Sequence, residues 1–133
     1  MTNRMVAGFL GAVFLLALLP ACEDDTSNDV NDIVFPPSNV SYGKSVEPLF
    51  LRACALPGCH TADTRAGNLS LESYQDAFDD VGVIIPGDTL NSRLVWRIEG
   101  RGGGERMPLL KPPLNANQIN GLKRWILEGA RNN

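Results

Sequence analysis

Cysteine is scarce in this chain, with three residues in 133. That is too few for a disulfide-rich scaffold, and an odd number leaves one thiol over. Positive charge is no more abundant: twelve Lys and Arg stand against fifteen Asp and Glu, a net charge of −3. The electrostatic footprint of a nucleic-acid-binding protein is therefore missing. Aromatic residues make up 7%, beside thirteen Gly and nine Pro, which excludes a low-complexity or collagen-like chain. No segment repeats. A length of 133 residues with 44% apolar content allows one small domain, not two.

The longest apolar run is also short. Met5 to Leu19 holds 15 apolar or Gly residues behind a single charge, Arg4. That is the length of a signal-peptide core, whereas a membrane-spanning helix needs about 20 residues. The run ends in Leu19-Pro20-Ala21-Cys22, which resembles a bacterial lipobox. The resemblance implies a signal peptide over 1–21, cut before Cys22, and a lipid on the Cys22 thiol. The competing reading is an uncleaved signal anchor with Cys22 incidental. Either way the rest of the chain is expected outside the cytoplasm, in the cell envelope facing the periplasm or exterior, in accord with the positive-inside rule. Cleavage would leave eleven basic and fifteen acidic residues, a charge of −4.

Residues 22–40 read as a flexible acidic tether. Glu23 to Val40 carries five acids and no base, is rich in Asn, Asp and Ser, and closes on Pro36-Pro37. Such a composition offers little apolar surface to offset its ordering entropy. The folded domain is then expected over 41–133, all-α, with short helices joined by long loops. Val46, Leu49, Phe50 and Ala53 fall at helical spacing, with Ser45 as N-cap. Asn68 to Leu71 reads as extended, and Ser73 to Asp80 as a short helix capped by Ser73. Asn91 is placed to cap a helix through Arg93 to Glu99, stopped by Gly100. Asn115 and Gln118 make a capping-box start for a last helix with Ile119, Leu122, Trp125, Ile126 and Gly129 on one face. Loops this long around so small a core imply a staple: a disulfide, a metal or a bound cofactor.

The densest chemistry lies in Cys54-Ala55-Leu56-Pro57-Gly58-Cys59-His60. A c-type haem site needs two thiols to add across two vinyl groups and an imidazole directly after the second. Its usual spacing is C-x-x-C-H, and here four residues separate the thiols. Two other readings stand beside it. Cys54 and Cys59 could close a structural disulfide in an oxidising compartment, leaving a haem-free lipoprotein binding module. Cys54, Cys59 and His60 with Asp63 could offer zinc ligands, at a spacing that fits no common finger. Met107 is the one Met past the apolar run, in a Gly- and Pro-rich loop before the last helix. Its thioether is a soft neutral ligand suited to a haem with His/Met ligation, or else a core residue. Gly102-Gly103-Gly104 lacks the Gly-Lys-Ser/Thr of a phosphate loop and reads as flexible loop. Arg93, Arg97, Arg101 and Arg106 are candidate partners for haem propionates, or a solvated face. The Pro86 carbonyl is a candidate partner for the second His60 nitrogen.

From Ser41 to Asn133 the chain resembles a small monohaem cytochrome c domain of the planctomycete type found in exported bacterial proteins. The likeness rests on the Cys-His motif and Gly67-Asn68-Leu69-Ser70-Leu71. It continues through Pro86-Gly87-Asp88, Ser92-Arg93-Leu94 and Met107-Pro108, and ends with Trp125-Ile126 and Gly129-Ala130. It implies a covalent haem c (heme c) held by Cys54 and Cys59, with His60 and Met107 as axial ligands to iron. It implies also that the first and last helices pack together. The function so implied is electron transfer, not enzymatic turnover, by a lipid-anchored protein. Its expected partner is a periplasmic or membrane redox protein, and its acidity favours a basic patch on that partner.

Overall fold

The computed structural model describes residues 29–133. The expected signal peptide over 1–21, the Cys22 lipidation site and the first part of the expected tether lie outside the described residues. The architecture is all-α. Three helices, α1 (Glu47–Ala53), α2 (Arg93–Glu99) and α3 (Ala116–Leu127), are joined by long loops with single 3-10 turns at Val30–Asp32, Ala66–Asn68 and Asp76–Phe78. Among the described residues there is no strand, and no helix is long and apolar enough to cross a membrane.

Each helix follows from its local sequence. The apolar stripe Val46, Leu49, Phe50 and Ala53 is buried along α1 as its spacing predicts. The entry differs. A wide π turn over Tyr42–Val46 precedes α1, and the amides of Ser45 and Val46 both donate to the Ser41 carbonyl. Ser41, not Ser45, therefore caps this segment, accepting from the Lys44 amide at 3.3 Å, while Ser45 is buried. For α2 the N-cap is Ser92 rather than Asn91, whose side chain is drawn instead to the Asp88 carboxylate at 2.6 Å. Gly100 ends α2 with a left-handed backbone, φ 72°, which glycine adopts without steric cost. The capping box of α3 forms as its sequence predicts, with Asn115 and Gln118 satisfying each other's amides at 3.0 Å. The stretch after Ser73 gives one 3-10 turn over Asp76–Phe78, with the Ser73 hydroxyl accepting from the Asp76 amide.

The core gathers on α3. Trp125, Leu122 and Ile126 are buried, and the Trp125 ring meets Phe50 of α1 edge-on at 6.4 Å between centroids and Tyr42 at 5.8 Å. The first and last helices thus meet through the Phe50 and Trp125 rings, while α3 lies alongside α2 and the turn before α1. The Pro86-Gly87-Asp88 turn docks on the end of α3, with the Gly87 amide donating to the Ile126 carbonyl at 2.7 Å.

The second part of the expected tether is a strap on the domain. Ile33, Phe35 and Val40 are buried in the core. The Phe35 amide donates to Asn117 Oδ1 at 2.8 Å, and Asn117 Nδ2 donates back to the Phe35 carbonyl at 3.1 Å. Gln118 Nε2 donates to the Val30 carbonyl, and the Glu128 carboxylate accepts from the amides of Asn39 and Val40. Residues 30–40 of the expected tether are therefore packed against the domain. The acids of this segment stay on its outer side while three apolar residues turn inward, and composition averaged over the segment conceals that alternation.

Candidate functional site

The Cys54 to His60 segment begins where α1 unwinds. The amides of Cys54 and Ala55 both donate to the Phe50 carbonyl, which ends the helix. Gly58 turns the chain back with φ 82°, and the His60 amide closes the loop on the Cys54 carbonyl at 3.2 Å. The His60 carbonyl in turn accepts from the Leu71 amide at 2.9 Å. This ties the motif to the extended piece whose Leu69 and Leu71 are buried. Four intervening residues thus still bring both thiols and the imidazole into one small loop.

Beside this loop is a cavity of about 390 Å3. Cys54 and His60 line it from one side and Met107-Pro108 from another, with Leu94, Arg97 and Ile98 of α2 among its walls. A smaller adjoining cavity of about 100 Å3 shares Cys54, His60 and Met107 and adds Cys59. The structure therefore brings all four expected site residues, Cys54, Cys59, His60 and Met107, to one connected region. The Met107 loop is anchored to α2 by the Met107 amide, which donates to the Arg97 carbonyl at 2.9 Å. A separation of 47 residues between His60 and Met107 is closed by tertiary packing alone.

The electrostatics are those of an apolar site with few polar atoms. Burial, and then the Cys59 thiol beside it, pushes the Cys54 thiol up to about 12, so it is neutral at physiological pH. Both cysteines are free thiols. His60 Nδ1 is buried and finds no hydrogen-bond partner among the described residues. The bond expected from the Pro86 carbonyl is accordingly not made. Among the described residues no group of three or more His, Cys, Asp or Glu side chains is arranged to hold a metal ion. The zinc reading of Cys54, Cys59, His60 and Asp63 has no such cluster to rest on.

The four arginines differ sharply. Arg93 pairs with Asp80 and also donates to the Val81 carbonyl. Arg101 pairs with Glu99 and lies 5.9 Å from the Trp96 ring centre. Arg106 donates to the Ile98 carbonyl. Arg97 lines the cavity, and its Nη1 is buried with no partner among the described residues. Two further lining residues that sequence alone did not single out, Val83 and Ile98, look in the chain like ordinary core positions. Their spacing is that of any buried face.

Residues 57–109 match the family model of planctomycete cytochromes c. This stretch is cytochrome c-like. The match takes in Cys59, His60, Arg97 and Met107 and starts after Cys54, so it spans less than half of the chain. No curated protein and no solved structure matches the chain. The cytochrome c-like stretch points to an electron carrier that binds haem. The donor set fits such a group: two thiols, an imidazole with an orphaned buried nitrogen and a thioether surround one largely apolar cavity.

Proposed function

We propose that the protein is an electron carrier with one covalent haem c. The observation that carries this reading is the convergence of Cys54, His60 and Met107 on the 390 Å3 cavity, with Cys59 in the space adjoining it. Cys54 and Cys59 hold the group by thioether bonds. His60 and Met107 would supply the iron's two protein ligands. When bound, the haem iron supplies a one-electron ferric/ferrous couple, which Met/His ligation sets at a raised potential. Met107 and the apolar walls keep water from the iron, so the site carries electrons rather than turning over a substrate. We propose further that Cys22 is lipidated after removal of 1–21. That would hold the domain at the cell envelope, facing the periplasm or exterior, within reach of a periplasmic or membrane redox protein.

The test is periplasmic expression of the full chain with a cytochrome c maturation system, followed by haem staining of denaturing gels and absorption spectroscopy. Stain that survives denaturation, with sharp α and β bands on reduction, is the expected result. Met107→Ala is expected to keep the stain but lose the low-spin reduced spectrum, Cys54→Ala or Cys59→Ala alone to weaken the stain, and the two together to abolish it. A colourless product with Cys54 and Cys59 joined as a disulfide would overturn the reading in favour of a haem-free binding module.

A further inference from the structure

The third glycine of Gly102-Gly103-Gly104 has a role that the proposed haem site does not account for. Gly102 and Gly103 have left-handed backbones, φ 81° and 74°, and need glycine for that reason. Gly104 does not share that conformation. Its requirement is space: a Cβ on Gly104 would overlap the Arg97 guanidinium, meeting Nη1, Cζ and Nη2. The end of Arg97 therefore sits against the loop, Nη1 nearest, at a place only a missing side chain leaves open. The residue also lines the cavity. Nη1 is buried without a partner among the described residues, an expensive state for a cationic donor.

The other charges at the cavity do not fill this need. Asp80 is engaged by Arg93. Glu105 lines the cavity but makes no ion pair with Arg97 among the described residues. A planar guanidinium with an unused buried donor suits a carboxylate, which it can hold with charge-assisted hydrogen bonds. We infer that Arg97, seated against Gly104, is the carboxylate-binding residue of the cavity and takes a propionate of the haem. This rests on the haem reading above. The glycine triplet then serves two purposes: its first two members turn the loop, and the third leaves room for the cation.

The experiment uses the haem-loaded full chain and measures its midpoint potential at fixed pH. A cation against the propionate offsets its negative charge and favours the ferrous form, which carries one positive charge fewer. Arg97→Gln is expected to lower the ferrous-to-ferric ratio at fixed applied potential by roughly three- to tenfold, the scale of one charge acting through space on an iron whose charge differs by one between the two states. Gly104→Ala keeps the charge and displaces the flexible end of Arg97, so it is expected to produce the same fall. The double variant should fall no further, and Arg97→Lys should recover part of the loss. Arg124→Gln removes an exposed charge away from the cavity and should leave the potential in place. A stained wild type whose potential is unmoved by Arg97→Gln, or moved by Arg97→Gln but not by Gly104→Ala, overturns this inference and leaves the haem reading standing. A wild type without stain overturns both.

Discussion

Gly121→Ala should destabilise this protein, although the same change in most helices stabilises. Alanine in place of a helical glycine gains about 1 kcal/mol from propensity. Here Gly121 is buried on α3, and a Cβ would overlap Phe35 at its Cγ and Cβ. Overlap so close to the Phe35 backbone is not relieved by turning the ring, so the strap must leave its seat. Phe35 is 3% exposed, and losing its burial costs about 3–5 kcal/mol. The Asn117 hydrogen bonds to the Phe35 backbone go with it. The net loss is about 2–4 kcal/mol. For a domain of this size that is a fall in Tm of roughly 10 °C. Thermal and urea melts of four chains complete the cycle: wild type, Gly121→Ala, Phe35→Gly and the double variant. Against Phe35→Gly, where both the ring and the Cβ it would meet are gone, Gly121→Ala should change sign and stabilise by up to about 1 kcal/mol. A stabilising Gly121→Ala in the wild-type background would refute the reasoning. Residues 29–40 would then be a tether after all.

Three further outcomes can be read by the same melts. Ser92 is fully buried, and its hydroxyl accepts from the Ile85 amide at 2.9 Å and donates to the Asp88 carbonyl at 2.6 Å, so Ser92→Ala should cost about 1–3 kcal/mol. The Tyr42 hydroxyl is buried with no partner among the described residues, and burial, then Glu47, pushes it up to about 12. Tyr42→Phe removes that unsatisfied group and is expected to be neutral or to stabilise by up to about 2 kcal/mol, whereas a clear loss would mean the hydroxyl has a partner in solution. The Glu99 carboxyl is held below its ordinary value by its hydrogen bond from Lys123, at 2.7 Å, and by Arg101. A depressed folded value means that the contribution is present above the unfolded carboxyl range, near pH 4–5, and fades as pH falls through the folded value. Since the pair is partly exposed, Glu99→Gln should cost less than about 1 kcal/mol at neutral pH and nothing at low pH.

Much of this fold is legible along the chain because helices are local objects. The buried stripe of α1, the stop at Gly100 and the capping box of α3 each depend on residues within one or two turns of each other. The Cys54 to Cys59 loop with His60 is equally local, so its chemistry could be read from spacing. Choices between neighbouring cap residues were less legible. Ser41 prevails over Ser45 because the chain enters α1 through a π turn, and Ser92 over Asn91 because Asp88 engages the Asn91 side chain. Both outcomes depend on competing partners that a residue count does not weigh.

Distance along the chain accounts for the rest. The strap reads as an acidic tether until Gly121, 86 residues beyond Phe35, provides the seat for its ring. Arg97 is one of four similar arginines until the fold engages Arg93, Arg101 and Arg106 elsewhere and leaves Arg97 Nη1 at the cavity without a partner among the described residues. Residue identities and short-range periodicity decided which helices form and which side chains could serve chemistry. Long-range packing decided which of those side chains meet, because burial and shared cavities are properties of surfaces that only folding brings together. His60 and Met107 illustrate the division: each is conspicuous alone, and only the folded chain gives them a common cavity.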